Sequence, residues 1–101
     1  MDDRYNPIIK KIIDAKPGVY VIFFIYECQY SRKALELLRN KNAKYKGYDI
    51  NTIRGGMNKL LEVLKKNAEL INFNIEHNTK PIIFVNGKYV GGYEELLKKL
   101  L

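Results

Sequence analysis

The chain has 101 residues, 47% of them hydrophobic, and 18 Lys and Arg against 11 Asp and Glu give it a formal net charge of +7. That length is expected to make one compact domain over residues 1–101 and is too short for two, and the longest apolar run, VYVIFFIY, is too short to cross a bilayer as a helix. The one cysteine, Cys28, excludes an internal disulfide; with an acidic, polar start (MDDRYNP) where a secretory leader would be basic and apolar, the expectation is a reducing, cytoplasmic setting and no membrane.

The positive charge raises nucleic acid as a partner, but the lysines are scattered as pairs and singles and are not interleaved with stacking aromatics. A solvated basic surface without a dedicated nucleic-acid site is expected. In chain order, Asn6 and Pro7 supply a cap and a first helical position, and Ile8, Ile9, Ile12 and Ile13 recur at helical spacing until Pro17 and Gly18. Residues 19–25 are β-branched and aromatic without alternation, as expected of a central strand covered on both faces. Ala34, Leu35, Leu37 and Leu38 form a helical stripe ending near Asn40; a weaker strand over 45–50 then leads to a turn at Gly55 and Gly56. Strand, helix and strand make a βαβ unit. A third helix is expected from about Met57 through Ile71, followed by the polar stretch NFNIEHNTK, in which His77 reads as a surface residue with no partner for a metal site. Strands over 81–85 and 88–90 are joined by Asn86-Gly87, the strongest two-residue hairpin signal. A last helix carries Tyr93, Leu96, Leu97 and Leu100, with Glu94 and Glu95 at its start and Lys98 and Lys99 at its end, both favourable to its dipole.

Cys28 therefore falls just after a strand and just before a helix. Unpaired N–H groups and the positive end of the helix dipole both favour thiolate there, although the dipole alone contributes only about 0.3–1 kcal/mol at an exposed site. The competing reading for a free cysteine is a small buried filler. Its neighbours Glu27, Gln29, Ser31 and Arg32 are polar and fit an exposed junction better, though Glu27 opposes ionisation.

Four motifs in this order, Cys28-Gln29-Tyr30-Ser31 after a strand, Thr79-Lys80-Pro81 opening a hairpin, Asn86-Gly87-Lys88, and Gly91-Gly92 before a helix, resemble the glutaredoxin family. The resemblance runs from about Val19 to the C-terminus. It implies an α/β thioredoxin-like fold, with a central four-stranded mixed sheet flanked by helices. It also implies a catalytic Cys28, with Ser31 in place of a resolving cysteine, and a glutathione site formed by Tyr30, Thr79, Lys80, Pro81, Gly91, Gly92, Tyr93 and Glu94. By the same resemblance, Pro81 follows a cis peptide bond, the Lys80 main chain pairs with the ligand, the glycine pair lets backbone approach its γ-glutamyl end, and Glu94 stands near its amine. Where similar members carry Lys three residues before the cysteine and Arg just before the threonine, this chain has Ile25 and Asn78, which leaves Lys80, with Arg32, to supply positive charge.

Three functions follow from the resemblance. The leading one is a glutathione-dependent thiol–disulfide oxidoreductase of the monothiol type, a monomer that reduces protein–glutathione mixed disulfides with glutathione as co-substrate and serves cell redox homeostasis. The second is a [2Fe–2S] carrier in which Cys28 and bound glutathione from each of two chains hold the cluster; iron–sulfur members usually have Cys-Gly-Phe-Ser and a short insertion before it, which this chain lacks. The third is an inactive binding module, raised by Ile25 and Asn78. No other metal site is expected.

Overall fold

A computed structural model of the protein describes residues 5–101. Its elements run α1 (Pro7–Ile13), β1 (Tyr20–Phe24), α2 (Gln29–Asn40), β2 (Tyr45–Asp49), α3 (Gly56–Lys66), α4 (Ala68–Ile71), β3 (Ile82–Val85), β4 (Lys88–Gly91) and α5 (Tyr93–Leu100). The sheet order is β2-β1-β3-β4. β1 runs parallel to β2 and antiparallel to β3, and β4 closes the hairpin on β3. This is the mixed four-stranded sheet flanked by helices that the motifs implied.

β1 is buried at every position because each face of the sheet is covered. Val21 and Phe23 join Ile9 and Ile12 of α1, Leu60 and Leu64 of α3, and Phe84 of β3 in one core. Tyr20, Ile22 and Phe24 turn the other way, toward Ala34, Leu35 and Leu38 of α2 and Leu96 of α5. Hydrophobicity therefore runs without a break while the side chains alternate between two cores. α1 begins as expected, with the Asn6 side chain accepting from the Ile8 N–H at 2.8 Å.

Element ends move for identifiable reasons. The central strand stops at Phe24, one residue short of the expected end, because the Ile25 N–H leaves the ladder and donates to Ser31 Oγ at 3.1 Å. Ile50 leaves the second strand to start a 3₁₀ turn over Ile50–Thr52, where the Asp49 side chain accepts from the Asn51 N–H at 2.9 Å. The third expected helix is two helices. At Asn67 the buried side-chain amide donates to the Val63 carbonyl at 2.8 Å, competing with the helical ladder, and this residue, at φ −112° and ψ 22°, separates the two helices. β3 starts at Ile82, since Pro81 has no N–H to give a sheet. The Asn86-Gly87 turn forms with positive φ at both residues, 54° and 75°. Among the described residues no helix is long and apolar enough to cross a membrane.

Candidate active site

The turn that leaves β1 closes through the Cys28 N–H, which donates to the Ile25 carbonyl at 3.0 Å. Cys28 is the N-cap of α2, in extended conformation (φ −86°, ψ 121°), so its carbonyl already accepts the Arg32 N–H at 3.2 Å while its side chain stands off the helix end. The thiol is partly exposed, as an exposed junction requires. Its Sγ lies 3.6 Å from the Lys80 carbonyl, to which the protonated form donates.

Ser31 is fully buried one turn into α2. Its Oγ accepts from the Ile25 N–H, which leaves the hydroxyl hydrogen free to be donated to Cys28. Partial burial pushes the Cys28 thiol up, but the Ser31 and Tyr30 backbone N–H groups, the Ser31 hydroxyl and the Lys80 ammonium pull harder, and the net displacement is below the ordinary thiol value. Positive N–H ends at the start of a helix favour the ionised form of the sulfur over the neutral thiol.

Beside the sulfur lies an open groove of about 590 Å³. Of the residues singled out in the sequence, Tyr30, Thr79, Lys80, Gly92, Tyr93 and Glu94 line it. Cys28 touches its edge through the Lys80 carbonyl. Pro81 is buried behind it, and the Lys80–Pro81 peptide bond is cis. Gly91 and Gly92 differ in what they require. Gly91 has φ +139°, and a Cβ there would stand 2.6 Å from the Glu95 Cβ, so only glycine fits. At Gly92 the nearest atom to an added Cβ is the Pro81 carbonyl oxygen at 3.4 Å, an ordinary contact.

The groove also holds residues that the sequence reading did not assign to it. His77 is not a bare surface residue: it is half-buried, its Nε2–H donates to the Thr79 carbonyl at 2.9 Å, and its Nδ1 accepts from the Tyr89 hydroxyl. The neutral tautomer protonated at Nε2 satisfies both partners. Burial, with Glu95 nearby, raises the Tyr89 phenol above its ordinary value and keeps it a donor. Glu95 accepts from the Gly92 N–H at 2.8 Å, the reach-back of a capping box. An acid three residues after a cap is readable in sequence; the His77–Tyr89 pair depends on hairpin position and is not. Asn78 lines the groove as an uncharged side chain, Ile25 packs against the α1–α3 core, and Arg32 is tied to the Tyr26 carbonyl. Besides Lys80, which lines the groove, a second cation stands beside its wall: Lys33, whose Nζ lies 5.4 Å from the Tyr30 ring centroid and 5.9 Å from that of Tyr93. No cluster of three or more His, Cys, Asp or Glu suited to a metal occurs among the described residues.

Comparison with known proteins agrees with this arrangement. The family description Glutaredoxin matches residues 20–90. A probable glutaredoxin of Acanthamoeba polyphaga mimivirus is 50% identical over 95 residues, 94% of this chain and 90% of that one. The dithiolic glutaredoxin of Trypanosoma brucei brucei superposes with a TM-score of 0.70 at 24% identity, covering 92% of this chain and 84% of its own. Buckwheat glutaredoxin in its glutathione complex gives 0.68 at 20% identity, over 91% and 77%. The chain belongs to the glutaredoxin family, and so to the glutathione-dependent thiol oxidoreductases in general. Its lone cysteine accords with the monothiol type.

Proposed function

We propose that the protein is a monomeric enzyme that reduces protein–glutathione mixed disulfides through Cys28 alone. The observation that carries this reading is a partly exposed thiol, held below its ordinary pKa, at the edge of a groove large enough for a tripeptide. The fold neighbour from buckwheat, described in complex with glutathione, supports the choice of ligand.

The Cys28 thiolate attacks the glutathione sulfur of the mixed disulfide. The old S–S bond breaks, its electron pair leaves on the protein sulfur, which takes up a proton, and a Cys28–glutathione disulfide forms. A glutathione thiolate then attacks the glutathione sulfur of that intermediate, releasing glutathione disulfide and returning Cys28 as thiolate. The net reaction oxidises one free glutathione and reduces one mixed disulfide. As Cys28 ionises, the Lys80 carbonyl loses the S–H it accepted and becomes available to an N–H of the ligand's cysteinyl unit.

Turnover of a glutathionylated peptide, followed for the native protein and Cys28→Ser, tests the mechanism. The variant is expected to be inactive, since no other residue can form the covalent intermediate. Retained activity would refute it.

A further inference from the structure

The charges around the groove do not match a tripeptide with two carboxylates and one ammonium. Glu76, Glu94 and Glu95 line it, and Lys80 is the one cation among its described lining residues. Lys80 stands on the sulfur side, next to Cys28. The opposite bank, formed by Tyr93 and Glu94 at the start of α5, is acidic at its lining. Lys33 corrects that imbalance. It projects from α2 with its ammonium near the faces of Tyr30 and Tyr93, whose ring centroids are 6.3 Å apart, and it joins no ion pair among the described residues.

We propose that Lys33 is a ligand-binding residue, held at the groove wall by Tyr30 and Tyr93, that receives the α-carboxylate of the γ-glutamyl end of the glutathionyl group. This rests on the reading of the groove as a glutathione site. The chemistry of that end selects the bank. A γ-glutamyl unit carries an ammonium and a carboxylate on one carbon, so it needs an anion and a cation on the same bank; Tyr93 is followed in the chain by the groove-lining Glu94 and has the Lys33 ammonium 5.9 Å from its ring centroid. The glycyl end carries a carboxylate alone and falls to the other cation, Lys80. Two aromatic faces restrict the Lys33 side chain without neutralising it, which lowers the ordering cost of binding.

The test compares the native protein with Lys33→Gln and Lys33→Arg in turnover of a glutathionylated peptide. The group in disulfide linkage to the peptide is glutathione, its γ-glutamyl α-carboxamide analogue, or its glycyl amide, and the reductant is glutathione throughout. An exposed ion pair corresponds to a rise in KM for the glutathionylated peptide of up to about fivefold in Lys33→Gln, shrinking with added salt, with kcat nearly unchanged. Lys33→Gln should treat peptides carrying glutathione and the γ-glutamyl carboxamide alike, while still discriminating against the glycyl amide. Lys33→Arg should behave as native. If Lys33→Gln distinguishes the two γ-glutamyl forms as well as the native protein does, the inference is wrong while the glutathione reading stands. If the native protein forms no glutathione adduct on Cys28 at all, both fall together.

Discussion

Ser31 does two jobs with one hydroxyl: its oxygen takes the N–H that ends β1, and its hydrogen faces the sulfur. Replacing it with Ala should raise the pH at which Cys28 is half-alkylated, moving it toward the ordinary thiol value, and should cost stability by leaving the Ile25 N–H unpaired. An alkylation rate profile against pH checks the first part; an unmoved midpoint would remove Ser31 from the thiolate's support. Ser31→Cys should create an internal disulfide that diverts the glutathionylated intermediate, so turnover should not improve. A large gain in steady-state turnover would contradict that. Lys80 acts on the same thiol through its charge. Lys80→Val should shift the alkylation midpoint upward and weaken glutathione use by less than about tenfold, as for an exposed charge, with reduced sensitivity to salt. Steady-state kinetics at two ionic strengths measure both effects.

At the scale of elements, β4 and α5 are joined by a corner that leaves no room for a side chain at one glycine and ordinary room at the next. Gly91→Ala should destabilise the protein by about 1 kcal/mol or more, through both its positive φ and the Glu95 side chain above it. Gly92→Ala should be much milder in thermal melting, so equal losses at the two positions would contradict the packing described. The elements themselves were largely legible: Asn6-Pro7, the unbroken apolar run into Cys28 and Asn86-Gly87 each carry local chemistry that fixes a boundary nearby. What escaped was chemistry acting across the fold. The Asn67 amide ends a helix whose apolar stripe continues past it. His77 finds Tyr89 twelve positions away only because the hairpin brings β4 under the preceding segment. Arg32 and Lys33 are adjacent in sequence, and only their packing shows that the first is tied to the Tyr26 carbonyl and the second is held at the groove wall.

For the whole molecule, the net charge of +7 gave no indication of the site, whose groove lining holds three glutamates and one lysine. The site was legible instead as motif order, which placed Cys28 at a helix start and Thr79-Lys80 beside it. The balance of charges around it required three dimensions. The lowered thiol pKa also links the site to stability. Because the folded value lies below the unfolded one, the stabilisation is fully present above the ordinary thiol value of about 8.5 and is lost as pH falls through the folded value. The difference in urea midpoint between the native protein and Cys28→Ser should follow that course, and a difference independent of pH would contradict the ionisation inferred for Cys28. The central claim, that the fold makes Cys28 reactive toward glutathione, is tested most directly by intact-mass measurement. The rate of Cys28 glutathionylation by glutathione disulfide at neutral pH would be compared for the folded chain and the urea-unfolded chain. The account predicts one glutathionyl group on Cys28, formed faster in the folded protein and removed by reduced glutathione with release of glutathione disulfide. A folded protein that reacts no faster than the unfolded chain would contradict it.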